Sequence, residues 1–492
     1  MKIKSIIENN KFLLLLGLIL LSLVMHFHAF KFDLSGIHAW RQTETQTTIQ
    51  NFYEEDFNIF NPRINSRGAG TGIVRREFPV MQWLFAGAYK IFGDHIIISR
   101  ILTFIIGILT VIGFYLIILR LTGDTFVSIA GAWAFNFSPS FFYYTVCPLP
   151  DNFALMNIVF SIYFFLKSME NYRLKYFTWS IVFLSLSALT KLPFILYFIL
   201  PAWFLYRNGI KIKKIQGKSF NTAIIILLMG LLPVFLWYGL TIPQWGKQGI
   251  ITGVFGNYKT DLPTLLDFFQ HNLISTLPEL LLNYGATPFF LVALFYVFRK
   301  KIVINKSYRG FLLLGILLIL YFFFELNMIE KIHDYYLFPF LPLLFILVAY
   351  GIKLGFYNNK SFIRSFSFFL LLLIPFLAFI RIHGRWDINR LGLNPDLYNY
   401  KTELREIIPD NKLVIAGNDE SSYIFFYYIH KKGWSFAHDD LNEKELKKMI
   451  NEGAVYLYSS SRNVDENPKI KKYLNKKLGQ YGSIKIFLLK NK

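Results

Sequence analysis

The sequence predicts an α-helical polytopic membrane protein with about eleven transmembrane helices, an interfacial helix and a small C-terminal α/β domain outside the cytoplasm. Three observations lead there. Of 492 residues, 54% are hydrophobic and 18% aromatic, and the apolar residues come in runs rather than in the stripes of a soluble helix. Charge, Pro or Gly bounds each run. The basic residues between the runs gather on alternate connectors, as the positive-inside rule requires of a threaded chain.

The candidate spans are 12–30, 96–119, 126–145, 152–169, 176–190, 192–206, 221–240, 284–298, 310–325, 335–352 and 365–381. Several fall short of the roughly 20 residues that cross a bilayer, so their ends are soft. The first run lacks a small-residue cleavage site after it and reads as a retained anchor rather than a removed signal peptide. With the N-terminus inside, the cytoplasmic segments hold twenty Lys and Arg residues, among them Lys2, Lys4, Lys211, Lys213, Lys214, Lys218, Lys301 and Lys306. The opposite loops hold only Lys191, Lys247, Lys259 and Lys331. Pro79 to Phe92 is also apolar, but it has only fourteen residues and carries Trp83, Tyr89 and Lys90. It is expected to lie in the membrane plane. Counting it as a span would invert every later loop and put the basic clusters outside.

This threading gives a membrane domain, 1–381, whose first external loop is 31–95, and a soluble external domain, 382–492. In the tail, β-rich runs (Lys412–Ala416, Ala454–Tyr458, Ser483–Leu489) alternate with helical stretches (Ser421–His430, Glu443–Asn451, Pro468–Leu478), the pattern of a small α/β unit. Gly417 is isolated, so the tail offers no phosphate loop, and no catalysis of its own is expected from it. The net charge of +21 does not point to nucleic acid, because the bases sit where they set topology. The single cysteine, Cys147, leaves no intramolecular disulfide and no Cys-based metal cluster.

The residues able to carry chemistry fall on the outer side. The first loop opens with His38-Ala39-Trp40-Arg41-Gln42-Thr43-Glu44 and closes with Arg75-Arg76-Glu77-Phe78-Pro79. Glu44, partly desolvated at the interface, suits a general base toward a hydroxyl. Arg41, Arg75 and Arg76 suit a phosphate or an acidic sugar. A second reading stands beside this one: Glu44 pairs with Arg41 to hold the loop, and Arg75 and Arg76 touch lipid headgroups. Asp151 follows Pro148 and Pro150 and opens a span, where it is equally a helix N-cap. Lys191 lies between two spans and either snorkels or neutralises a lipid-linked phosphate. His333-Asp334-Tyr335-Tyr336 begins another span as scaffold or as acid–base group. No metal site is expected, since Glu54-Glu55-Asp56 reads as a solvated turn or helix end. Cytoplasmic connectors are too short for a nucleotide-sugar domain.

The order of these motifs resembles the GT-C glycosyltransferases, in the branch of protein O-mannosyltransferases and bacterial lipid A aminoarabinose transferases. Arg41-Gln42-Thr43-Glu44 through Ile49-Gln50-Asn51-Phe52 resembles that family's first-loop acidic motif and following helix. Glu77-Phe78-Pro79 resembles the Glu-Lys-Pro-Pro segment that leads to an interfacial helix ending in Phe-Gly, here Phe92-Gly93. Ser99-Arg100, Asp151, Thr190-Lys191 and Tyr335 to Pro342 complete the series over about residues 10–380. The resemblance implies transfer of a hexosyl or pentosyl group from a polyprenyl-phosphate donor to a glycolipid, glycan or protein acceptor. It places the site on the outer face of the cytoplasmic (inner) membrane and calls for no cofactor or metal. The chain departs from the family twice. The usual Asp-Glu pair aligns with Arg41-Gln42, which leaves Glu44 as base with Asp151 as the other catalytic candidate. The family's lysine is Phe78, which leaves the carrier phosphate to Arg75, Arg76 or Lys191. Gln42, Glu77, His333, Asp334 and Tyr336 complete the expected substrate contacts. Two other classes fit the hydropathy: a lipid-linked glycan flippase or transporter, which would need charges inside the spans, and a non-catalytic envelope-assembly protein.

Overall fold

All eleven apolar runs are helical in the computed structural model, which describes residues 9–171, 173–215, 217–245, 252–256, 260–300, 309–387 and 389–490. Among the described residues, six helices are long and apolar enough to cross a membrane: Lys11–Lys31, Ile96–Thr122, Pro150–Glu170, Phe220–Gln244, Asp334–Phe356 and Ser361–Trp386. Four shorter apolar helices, Leu174–Thr190, Leu192–Arg207, Thr287–Arg299 and Arg309–Phe324, match other expected spans. The chain is a multi-pass membrane protein. Lys2, Lys4, Lys247, Lys259, Lys301 and Lys306, used above for orientation, lie outside the described residues, as do the side chains of Lys211, Lys213, Lys214 and Lys218.

Proline sets the departures from simple spans. The expected span 126–145 is two helices, Thr125–Asn136 and Pro139–Tyr144, because Ser138 before Pro139 takes ψ 119° instead of the helical conformation that the proline ring disfavours. The helix Leu174–Thr190 stops at Lys191, which is extended at φ −146°, and a 3₁₀ segment with Pro193 in its first turn, Leu192–Phe198, follows. That break frees Lys191 from helical geometry and turns it toward the site. Elsewhere the spans pack closely. A Cβ at Gly351 would lie 1.9 Å from the Phe289 carbonyl oxygen, so glycine lets the helices Thr287–Arg299 and Leu341–Phe356 meet backbone to backbone. Phe114 stacks on Phe135, and Phe345 meets Phe135 edge-on, within the helical core.

The helix Val80–Phe92 buries Met81, Gln82, Phe85, Ala86 and Tyr89 and leaves Leu84, Ile91 and Phe92 exposed, the two-faced character expected of an interfacial helix. Before it runs the polar helix Ala39–Glu54, buried almost throughout. Several of its polar side chains find internal partners: Gln46 donates to the Tyr89 hydroxyl at 2.7 Å, Gln50 to Asp94 at 2.8 Å, and Asn51 to Asn65 at 3.0 Å.

The C-terminal segment folds into a five-stranded sheet of order β2-β1-β3-β5-β4. The strands are β1 (Leu413–Gly417), β2 (Lys432–Ser435), β3 (Ala454–Ser459), β4 (Leu474–Tyr481) and β5 (Ile484–Leu489). β1 is parallel to both neighbours, and β5 runs antiparallel to β3 and β4. Two expectations need correction. The stretch Pro468–Leu478 is helical only over Pro468–Lys471 and then becomes β4. There a lysine-rich edge strand is satisfied by pairing with β5, and Lys476 and Lys477 discourage edge-to-edge association. The strand β2, only four residues long, was not expected at all.

This sheet docks on the first loop. Gly433 of β2 donates to Asn65 O and accepts from the amides of Arg67 and Gly68, and Leu34 and Ile96 pack with the domain's core. Glu55 binds Arg63, Arg67 and Lys432, and Glu54 lies 3.0 Å from His430. The acidic triplet does stand at a helix end, with Glu54 closing the helix Ala39–Glu54 and Glu55 capping it, but there it serves as a docking hub rather than a solvated turn. Burial favours the neutral Glu55 carboxyl, but Arg67 foremost, with Lys432 and Arg63, outweighs it and brings it down to about 2.

Candidate active site at the ends of the helices

Three breaks in the chain converge on one cavity. Lys191 comes from the interruption after Thr190, Asp151 from the start of the helix Pro150–Asn171, and Tyr335 and Tyr336 from the 3₁₀ segment Asp334–Phe340. With Glu77 they form the polar end of a cavity of about 450 Å³. Apart from Glu325, the remainder is aliphatic and aromatic, including Leu196, Ile242, Trp245, Leu317 and Phe324. A mostly apolar cleft ending in a few convergent charges suits an amphiphile with a long hydrocarbon and an anionic head. Lys191 Nζ lies 3.3 Å from Asp151 Oδ2. That oxygen has no well-aligned hydrogen bond among the described residues, so the contact is an ion pair that a stronger anion can replace.

Behind this polar end stands a second layer of charge. Arg41 reaches Glu44 with one guanidinium nitrogen and Glu77 with the other, and Arg76 Nη1 donates to Glu44 Oε1 at 2.6 Å. One helical turn separates Arg41 from Glu44, so the helix Ala39–Glu54 presents both side chains on one face. Burial would raise the Glu77 carboxyl, yet Arg41 first, then Lys191 and Arg76, hold it down to about 2. Glu77 lines the large cavity and also a small pocket of about 30 Å³, where Arg41, Glu44, Arg76 and Gln82 form the opposite wall. Lys191 and Asp151 thus line the large cavity, Arg41, Glu44 and Arg76 line the small pocket, and Glu77 lines both.

Arg76 is fixed from three directions. Its Nη2 donates to the Tyr423 hydroxyl at 3.1 Å, and the indoles of Trp237 and Trp245 donate to the carbonyls of Arg76 and Arg75 at 2.9 and 2.7 Å. The C-terminal sheet domain therefore touches the site through Tyr423. Phe78 packs edge-on against Trp237, with ring centroids 4.9 Å apart, and supplies shape where a cation was the family's pattern.

Four expected contacts lie elsewhere. Arg75 turns back to the first loop, donating to Phe60 O at 2.8 Å and Asn61 Oδ1 at 3.2 Å. Its side chain anchors the loop, so it is withdrawn as a phosphate ligand. Gln42 points at the carbonyls of Ser35 and Ile37. Asp334 is a buried clamp that accepts from Ser140, from Tyr144 at 2.7 Å and from Arg385 at 3.0 Å. His333 stacks on His38 at 5.1 Å and binds Met328 O at 2.8 Å. Burial pushes the His38 imidazole down to about 4, although Asp334 pulls the other way. The pair is neutral packing at neutral pH. The clamp nonetheless serves the site, since Tyr335 and Tyr336 follow it directly.

The sequence reading passed over Glu325, Tyr321 and Tyr238, which also line the cavity. Glu325 had a signal: it is the only charge at the end of the run 310–325.

Residues 76–237 match the sequence profile of the dolichyl-phosphate-mannose-protein mannosyltransferase family. No curated protein matches the sequence. The fold is similar to ArnT from Cupriavidus metallidurans bound to undecaprenyl phosphate, at 12% identity and a TM-score of 0.61, over 96% of this chain and 97% of that one. It is also similar to the archaeal oligosaccharyltransferase AglB from Archaeoglobus fulgidus, at 12% identity and a TM-score of 0.57, over 92% of this chain and 70% of that one. The mycobacterial arabinofuranosyltransferase AftD shares 12% identity and a TM-score of 0.57, over 97% of this chain and 40% of that one. By these likenesses the chain shares the fold of ArnT, AglB and AftD, and its residues 76–237 resemble the dolichyl-phosphate-mannose-protein mannosyltransferase family.

Proposed function

We propose that this protein is a membrane glycosyltransferase that moves a sugar from a polyprenyl-phosphate donor to an acceptor hydroxyl at the outer face of the cytoplasmic membrane. One observation carries the reading: an apolar cavity ends in Lys191 and Asp151, and the carboxylate Glu44 lines the small pocket that shares Glu77 with it. Transfer with inversion needs the leaving phosphate and the base on opposite sides of the anomeric carbon, and in this reading Lys191 holds the phosphate while Glu44 serves the acceptor. Glu44 accepts the proton of the acceptor hydroxyl as its oxygen bonds to the anomeric carbon. The bond from that carbon to the phosphate oxygen breaks, and its electron pair stays on the phosphate. Lys191 and Arg41 offset the growing negative charge, and such stabilisation in a water-poor site is the larger contribution. Asp151 orients Lys191 until the phosphate takes its place. The donor brings its own activated bond, so the reading calls for no cofactor.

The charges around the cavity argue for chemistry over transport, because Asp151, Lys191 and Glu325 stand at helix ends and not midway along the spans. Purified protein in detergent, given undecaprenyl phosphate loaded with a series of sugars, should release undecaprenyl phosphate when membrane glycolipids, glycans and proteins are supplied. Movement of the loaded lipid across a vesicle bilayer without cleavage would overturn the reading in favour of a flippase. The orientation has its own check. Reporter fusions after Lys214 and after Gly392 should report cytoplasm and exterior, and finding both on one side would remove the outer-face assignment.

A further inference from the structure

Glu325 follows the helix Arg309–Phe324 and lines the large cavity, with 5% of its surface exposed. Its amide is bonded to Tyr321 O and its carbonyl to the amides of Met328 and Ile329, so the backbone holds it in place. Its Oε2 has no hydrogen-bond partner among the described residues. A buried carboxylate left without a partner costs stability, and such a cost persists where a ligand supplies the missing bond. Glu325 and Asp151 line the same cavity, together with Tyr321 and Tyr336. Tyr321 in turn donates to Tyr336 O at 3.0 Å, tying this wall to the segment that carries Tyr335 and Tyr336.

Resting on the carrier reading of this cavity, we infer that Glu325 binds the sugar of the lipid-linked donor, accepting a hydrogen bond from a ring hydroxyl or ammonium group. The ligand's parts are distinguished by charge. An isoprenoid chain offers Glu325 nothing and would leave its oxygen desolvated. The carrier phosphate offers acceptor oxygens, which give an accepting carboxyl oxygen no hydrogen bond. Only the sugar brings hydrogen-bond donors, so Glu325 separates the loaded carrier from the spent one. It follows that the enzyme releases spent carrier more readily than it releases donor, because the bond to Glu325 departs with the transferred sugar.

The test is a binding comparison between bare undecaprenyl phosphate and the same lipid carrying a hexose, an N-acetylhexosamine or an aminopentose. The wild-type protein should bind at least one loaded lipid more tightly than the bare one. Glu325→Leu should bind the bare lipid within about twofold of wild type and lose about tenfold or more of the loaded-lipid advantage, as expected for a hydrogen bond to a charged group. Without ligand, Glu325→Leu should melt no lower than wild type. Should that variant fail to fold, Glu325→Gln, of nearly the same shape, provides the same comparison. A wild-type protein that prefers no loaded lipid overturns the inference. So does a variant that keeps the preference, or one that weakens both lipids equally. If wild-type protein does not bind even the bare lipid, the carrier reading itself fails.

Discussion

Glu44→Gln should slow sugar transfer by about 10²–10⁴, the usual loss when a general base is removed, while carrier binding stays near that of the wild type. The substitution keeps the shape of the side chain and removes only its charge and proton affinity. Arg41 retains Glu77 and Arg76 retains Tyr423, so neither guanidinium is left buried and unpaired, and the fold should survive. Glu44 carries a guanidinium on each oxygen, so both oxygens are occupied before an acceptor arrives. The reading therefore requires the acceptor to displace part of this layer, most simply the contact with the half-buried Arg76. Arg76→Lys should then impair the reaction less than Glu44→Gln does. Single-turnover kinetics with saturating donor separates the chemical step from binding. Wild-type turnover in Glu44→Gln would sink Glu44 as base and move the role to Asp151, which lines the cavity.

The sequence made the membrane architecture legible because hydropathy and the sidedness of Lys and Arg are strong and additive over many residues. Motif order also located Glu44, Arg76, Glu77, Asp151, Lys191 and Tyr336, all of which the fold brings to the two spaces. Contacts that depend on tertiary geometry were not legible. Arg75 and Arg76 are adjacent and chemically alike, yet successive side chains in an extended segment point opposite ways. One enters the ion-pair layer and the other returns to Phe60 and Asn61. Asp334 looked like half of a His–Asp pair, but its hydrogen-bonding partners Ser140 and Arg385 lie 194 and 51 residues away. The helix Ala39–Glu54 is polar on all faces, which by itself suggests exposure. Only the packing of Tyr89, Asp94 and Asn65 around it explains its burial. Glu325 was hidden by the run in front of it, where a single charge reads as the end of a span.

Lys191→Ala should weaken binding of undecaprenyl phosphate by about 10- to 150-fold, since a charge-assisted bond to phosphate is worth roughly 1.5–3 kcal/mol. The expectation rests on position. With Arg75 turned away and Arg76 lining the small pocket, Lys191 is the basic residue that lines the cavity itself. Phe78 cannot take over the task. Removing Lys191 also leaves Asp151 without its counter-ion and next to the incoming phosphate, so part of the loss would be repulsion. The double substitution of Lys191→Ala with Asp151→Asn isolates that part, and it should recover some affinity but not reach the wild-type value. Asp151→Asn alone should bind the bare lipid at least as tightly as wild type, because it frees Lys191 for the phosphate. Titration with undecaprenyl phosphate in detergent reads all three variants. An unchanged affinity in Lys191→Ala would reduce this lysine to an interfacial anchor and leave the charge balance at the leaving group to Arg41.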